Sequence, residues 1–171
     1  MTTSRRIRLT LLFLILVGTV GCDQTTKHLA RTGLGQFGSV TMPGGFGELR
    51  LTENPGSFLS LGAAFPQSLR MAVFTVGVGV GLAVLLVYLV DRARLSRLAF
   101  LGLALVLAGG ASNLIDRITR RGCVTDFIFL RVGPLHTGVF NVADMLIMAG
   151  IGAVAYALWK PQNTIEQREN L

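Results

Sequence analysis

The sequence predicts an all-α integral membrane protein with four transmembrane helices and a small β-containing subdomain formed by extracytoplasmic loops. Of the 171 residues, 51% are hydrophobic and only 15% are charged, whereas soluble domains carry about a quarter charged residues. The apolar residues also form four long blocks instead of recurring at the spacing of a soluble core. Disorder is excluded as well, because it requires low hydrophobicity and high charge.

Each apolar block suits a membrane span, since about 20 residues at a rise of 1.5 Å cross the hydrocarbon core. Within a single membrane domain, 1–171, the predicted helices cover approximately residues 8–30, 70–90, 98–116 and 139–160. The first block reaches a spanning length only if its helix continues through Asp23 and Gln24. The polar tail, 162–171, is expected to be disordered.

Positive charges set the predicted orientation. The net charge is +7, and most arginines flank apolar blocks, which indicates membrane topology and anionic headgroups instead of nucleic-acid binding. Lys and Arg divide eight to eight between the two sides, but one side collects its eight in short segments, 1–8, 91–97 and 160–171. Short segments weigh most in the positive-inside rule, so both termini are expected in the cytoplasm.

Two outer loops, approximately 31–69 and 117–138, would then lie on the other side of the membrane. In the first loop, turn residues at 42–45 separate alternating segments at 39–42 and 48–52, a pattern typical of short strands on the membrane surface. The second loop contains an apolar segment, 123–130, that is expected to lie in the membrane interface. Cys22 and Cys123 both fall on this side, where a disulfide is permitted, and their pairing is left open.

Aspartates at the outer ends of the apolar segments are the main functional candidates. There are four of them: Asp23, Asp116, Asp126 and Asp144. An ionisable group in this position is costly unless it is paired or faces a wet cavity, although each could simply cap a helix. Asp23 has Lys27 one helical turn away. Asp116 has Arg120 at the same spacing and Arg117 beside it, so the first two aspartates favour structural ion pairs.

Asp126 and Asp144 lack such neighbours: no Lys or Arg lies within four residues of Asp126 or within twelve of Asp144. These two carboxylates could share one proton, which an aspartic dyad requires so that one group activates water and the other protonates the carbonyl. Asn113 and Asn141 each precede an aspartate by three residues, on one helical face. An amide in that position can orient a carboxylate or donate to a substrate.

Other chemistries find less support. No Cys/His spacing predicts a metal site, and no serine stands in a recognisable arrangement with Lys or His, although a Ser-Lys dyad stays open. The glycines at 77, 79 and 81 lie in an apolar block, where small residues allow close helix packing. Two non-enzymatic hypotheses also remain: a small membrane transporter or proton relay that uses the outer aspartates, and a lipoprotein acylated at Cys22.

Five segments resemble, in order, the motifs of the bacterial lipoprotein signal peptidase family, also called signal peptidase II. They are DQTTK at 23–27, ENPG at 53–56, NLIDR at 113–117, VTDFI at 124–128 and FNVAD at 140–144. The resemblance covers approximately residues 8–160. It implies a multi-pass aspartic endopeptidase of the bacterial inner membrane, with its active site near the outer face and with no metal or cofactor. Its substrate would be a prolipoprotein cut just before a diacylglyceryl cysteine.

On this resemblance the catalytic pair falls on Asp126 and Asp144, the pair that the local charges also single out. Positions around the family's site match Asp23, Lys27, Asn54, Gly56, Asn113, Asp116, Arg117 and Asn141. The sequence departs from the family at 57–59, where Ser-Phe-Leu replaces Ala-Ala-Phe, and at Ser112, where glycine is common. Both departures touch the lining of the site or the outer loop and not the dyad, so they leave substrate preference and inhibitor fit open and do not affect the expected chemistry. The expected partners are prolipoproteins and membrane lipids, with no nucleic acid, and the expected state is a monomer.

Overall fold

The computed structural model describes residues 3–56, 64–91 and 95–159. Within these ranges, four helical segments are long and apolar enough to cross a membrane: Arg5–Gly35, Gln67–Asp91, Arg97–Thr119 and Val142–Trp159. The predicted four-helix membrane fold is confirmed. The tail at 162–171 and the unusual Ser-Phe-Leu segment at 57–59 lie outside the described residues.

The first helix, α1 (Thr3–Phe37), is 35 residues long, so it does continue past Asp23. At 1.5 Å per residue it extends about 52 Å, well beyond a hydrocarbon core of about 30 Å. Its C-terminal turns pack against the sheet, where Ala30 and Leu34 form a buried cluster with Phe127. α1 therefore joins the membrane bundle to the sheet.

The second span is not a uniform α-helix. It consists of the four-residue α2 (Gln67–Arg70), a π-helical segment (Met71–Gly77) and α3 (Val78–Asp91). π-helical segments are rare and occur frequently at functional sites. A Cβ on Gly79 would lie 3.6 Å from Leu114 Cδ2, and a Cβ on Gly81 would meet no atom within 4 Å, so neither glycine brings two helix backbones into close contact.

Close helix packing occurs instead between α4 (Arg97–Thr119) and α5 (Val142–Trp159). A Cβ on Gly102 would lie 2.6 Å from the carbonyl oxygen of Gly150, and a Cβ on Gly109 would lie 2.7 Å from that of Ala143. Glycine lets the two backbones approach to this distance. The contact holds the first turn of α5 against α4.

A four-stranded antiparallel sheet lies at one end of the bundle, in the order β1 (Ser39–Thr41), β2 (Gly47–Asn54), β3 (Val124–Val132) and β4 (Leu135–His136). The predicted β-containing subdomain is therefore confirmed. The apolar segment at 123–130, expected as part of a loop in the interface, forms most of the central strand β3. The register places Asp126 opposite Thr52. Cys22 and Cys123 are both free.

Candidate active site

A buried lysine links three polar side chains of α1 and α4. Lys27 Nζ lies 2.8 Å from Asp23 Oδ2 and 3.0 Å from Asp116 Oδ2. It also donates a 2.8 Å hydrogen bond to Asn113 Oδ1. The Lys27 side chain is fully buried, and the three donors of its ammonium group match these three acceptors. The ion pair that the spacing predicted between Asp23 and Lys27 is present.

The partner of Asp116 differs from the one that the sequence suggested. Its closest cation is Lys27, whereas Arg120 Nε lies 4.0 Å from Asp116 Oδ1. Arg117, although adjacent in sequence, donates a 2.9 Å hydrogen bond to the carbonyl oxygen of Gly56. Sequence spacing indicates neighbours on the same helix, and the stronger pair here joins two different helices.

The two aspartates of this cluster also hold neighbouring elements in place. Asp23 Oδ1 accepts a 2.8 Å hydrogen bond from the backbone N–H of Ala143, in the first turn of α5. Asp116 Oδ2 accepts one of 3.1 Å from the backbone N–H of Thr125, at the start of β3. Both acceptors satisfy backbone donors that would otherwise be buried without a partner. The cluster thereby positions the residues that follow, Asp144 and Asp126.

Asn113 connects the buried lysine to Asp144. Because an ammonium group only donates, the Oδ1 atom of Asn113 must face Lys27, and its Nδ2 atom faces the other way. That nitrogen donates a 2.9 Å hydrogen bond to Asp144 Oδ1. Asn113 therefore orients Asp144 of α5, and not Asp116, which follows it by three residues on its own helix.

Asn141 connects Asp144 to Asp126. Its Oδ1 atom accepts a 2.9 Å hydrogen bond from the backbone N–H of Asp144, and its own N–H donates to Asp144 Oδ2 at 3.2 Å. This reciprocal pair is a capping box at the start of α5. The Nδ2 atom of Asn141 donates to Asp126 Oδ1 at 2.7 Å. One asparagine thus contacts both aspartates.

Asp126 is 2% exposed. Its Oδ2 atom accepts a second hydrogen bond, of 2.9 Å, from Asn54 Nδ2. Burial raises the pKa of Asp126 to about 7, and the nearby Asp144 also raises it, against the opposing effects of Asn54, Asn141 and Lys27. A carboxyl group with this pKa is able to hold or release a proton near neutral pH.

Asp126 and Asp144 line one cavity of about 320 Å³. Its other polar side chains are Asn54, Asn113 and Arg117, and its apolar wall includes Ile147, Met148 and Ile151 of α5. The Nε atom of Arg117 is buried and has no hydrogen-bond partner. The cavity combines two linked carboxylates, a cation and an apolar wall, which is the composition of a site for a largely apolar substrate. No group of three metal-ligating side chains occurs among the described residues.

The structure brings all ten predicted site residues into one network, with Gly56 joined through its N–H to Asn54 Oδ1 at 3.0 Å. Sequence reasoning missed Gln24 and Thr125. Gln24 Nε2 donates to Asp116 Oδ1 at 3.2 Å, and Thr125 is fully buried beside Asp126. Their only signal was adjacency to an aspartate.

Ser112, expected to influence substrate preference, belongs to the ionic cluster. It is fully buried, and its hydroxyl donates a 2.7 Å hydrogen bond to Asp23 Oδ2. The side chains that line the cavity do not include it. Ser112 therefore stabilises the cluster, and its influence on substrate or inhibitor preference stays a prediction.

Comparisons with known proteins show the family and the fold. Residues 14–160 match the family described as signal peptidase (SPase) II. The chain is 35% identical over 157 residues to the lipoprotein signal peptidase of Desulforapulum autotrophicum, covering 91% of this chain and 94% of that protein. It is 34% identical over 142 residues to that of Syntrophus aciditrophicus, covering 82% and 88%. A solved bacterial membrane enzyme shares its fold, with a TM-score of 0.75 and 24% identity over 91% of this chain and 92% of that one.

Proposed function

This chain belongs to the signal peptidase II family, and from this premise we propose that it is an aspartic endopeptidase that cuts prolipoproteins just before a diacylglyceryl-modified cysteine. One observation supports the aspartic type above all others. Asp126 and Asp144 come from a strand and a helix, share Asn141 and face the same cavity. Linked carboxylates of this kind can divide the work of acid and base between them.

In the proposed reaction the dyad begins with one proton, carried by Asp126, whose pKa of about 7 suits that task. Asp144 accepts a proton from a water molecule as the water oxygen attacks the carbonyl carbon, and Asp126 gives its proton to the carbonyl oxygen. A neutral gem-diol results. Asp144 then passes its proton to the leaving nitrogen as the C–N bond breaks, and one gem-diol hydroxyl returns a proton to Asp126.

The position of Asp144 supports a substrate delivered from the membrane. Asp144 is the third residue of α5, within about 4.5 Å of the start of that span at 1.5 Å per residue. The apolar wall formed by Ile147, Met148 and Ile151 continues from it along the helix. A lipidated cysteine brings its own anchor, with about 0.8 kcal/mol for each buried CH₂ group, and this anchor would set the depth of the scissile bond.

The chain is a multi-pass bacterial membrane protein. We further propose that it lies in the inner membrane with both termini in the cytoplasm and the sheet and cavity near the outer face. The cations divide equally between the two sides, but those on the terminal side lie in short segments, which weigh most in the positive-inside rule. We also propose that the enzyme acts as a monomer. No observation among the described residues favours a transporter, a proton relay or a lipoprotein acylated at Cys22.

The test is a cleavage assay of the purified protein with one prolipoprotein peptide in two forms, with and without diacylglycerol on the cysteine. We expect kcat/KM for the unlipidated form to be at least about a hundredfold lower, equivalent to about 2.7 kcal/mol. Mass spectrometry of the products should place the cut before the cysteine. Comparable cleavage of both forms, or a cut elsewhere, would contradict the proposed substrate.

A further inference from the structure

We propose that the end of the bundle opposite the sheet binds one anionic phospholipid in a groove between the first turns of α1 and α4. This groove has a volume of about 640 Å³. Two arginines, Arg8 and Arg97, line it together with apolar side chains that include Leu11, Phe100 and Leu101. It is far from the cavity of the two aspartates, because the sheet packs on the opposite end of α1.

Arg8 is held in a position that suits phosphate binding. Its guanidinium carbon lies 4.6 Å from the centre of the Phe100 ring, and Phe100 is itself 4% exposed and part of the apolar core. Cation–π attraction to the ring fixes the guanidinium group and its N–H groups at the groove. These N–H groups match the geometry of phosphate oxygens.

Arg97 adds a second cation at the same groove and stands at the start of α4. The helix begins with a Ser96 cap, whose hydroxyl accepts a 3.2 Å hydrogen bond from the N–H of Ala99. The first turn of a helix carries partial positive charge and favours an anion nearby. None of the described side chains that line the groove is acidic, so the only charged groups among them are the two arginines.

The apolar side chains of the groove favour a lipid over a soluble anion as the ligand. Leu11 and Leu101 are 42% and 40% exposed, and they offer an apolar surface for an acyl chain below the arginines. The spans begin at Arg5 and Arg97, so the arginines lie at the level of lipid headgroups. A zwitterionic headgroup would bring its own cation against them, whereas an anionic headgroup would not.

The test uses the full-length protein, purified in detergent and stripped of lipid, with dioleoyl phosphatidylglycerol as the probe and binding counted by native mass spectrometry. We expect one tightly retained molecule. The double variant Arg8→Gln/Arg97→Gln should bind at least about tenfold more weakly, equivalent to about 1.4 kcal/mol. The matched control Arg5→Gln/Arg6→Gln removes the same charge from exposed positions of α1 and should bind within about twofold of the unmodified protein.

A third variant tests the apolar part. Leu101→Trp keeps both arginines and fills the groove, so phosphatidylglycerol should again be lost, while the melting temperature of lipid-free protein shows that each variant is folded. Three results would overturn the proposal: equal binding of dioleoyl phosphatidylcholine, equal losses in the two double variants, or full binding by Leu101→Trp. The proposal would also be overturned if millimolar inorganic phosphate, without lipid, raised the melting temperature of the lipid-free protein, since the ligand would then be a free anion.

Discussion

Replacing Lys27 with methionine is the most direct perturbation of the buried ionic cluster. Methionine is nearly as long but carries no charge, so Asp23 and Asp116 would remain buried without the ammonium group that lies 2.8 and 3.0 Å from them. Removing one partner of a buried ion pair costs about 3–5 kcal/mol. We expect a loss of this size in the free energy of unfolding, measured by titration with a denaturing detergent in mixed micelles.

Two controls separate the ionic contribution from a general effect of substitution. His28→Met changes the next, exposed residue of α1 and should alter the free energy of unfolding by at most about 0.5 kcal/mol. Asp116→Asn alone should also destabilise, but the double variant Lys27→Met/Asp116→Asn should lose less than the sum of the single losses, by about 0.5–3 kcal/mol. A Lys27→Met loss below about 1 kcal/mol, or strict additivity, would refute the cluster as an electrostatic unit.

Three further predictions concern catalysis. Asp126→Asn and Asp144→Asn should each abolish cleavage while the protein stays folded and inserted, because a carboxamide cannot share the proton; near-normal turnover in either would show that the dyad is wrong. In a pH profile, kcat/KM should fall as the pH rises through about 7, where Asp126 loses its proton. A value of kcat/KM that does not change up to pH 9 would contradict this role of Asp126. Chelators should leave activity intact, since amide donors already occupy the carboxyl groups of Asp126 and Asp144; loss of activity that added zinc restores would argue for a metal.

The sequence was sufficient for the features that depend on local pattern. An apolar run of about 20 residues is long enough to cross the membrane as one helix, so three of the four spans follow from such runs directly. The first span also required its helix to continue through Asp23 and Gln24. Asp126 and Asp144 were selected because no cation stands near them in the chain, and the structure places them in one cavity. In both cases the decisive information lies in one continuous segment of the chain.

Features that join distant segments could not be predicted in the same way. The Lys27–Asp116 ion pair spans two helices, whereas spacing offered only Arg120, which lies 4.0 Å away and is partly exposed. The contact between Asn54 and Asp126 depends on the register of β2 against β3, and a shift between Leu49 and Thr52 changes that register. No pattern in the local sequence predicts either the ion pair or the register shift.

The separation of the buried cation from the proposed dyad has a chemical consequence. Neutral amides, from Asn54 and Asn141, contact both oxygens of Asp126, and no cation touches that carboxyl group directly among the contacts of the described residues. A lysine in direct contact would favour the charged form of Asp126 and lower its pKa, whereas burial among amides leaves that pKa at about 7. Asn113 therefore does two things at once: it lets Lys27 fix the position of Asp144, and it keeps the full positive charge one side chain away from the groups that exchange the proton.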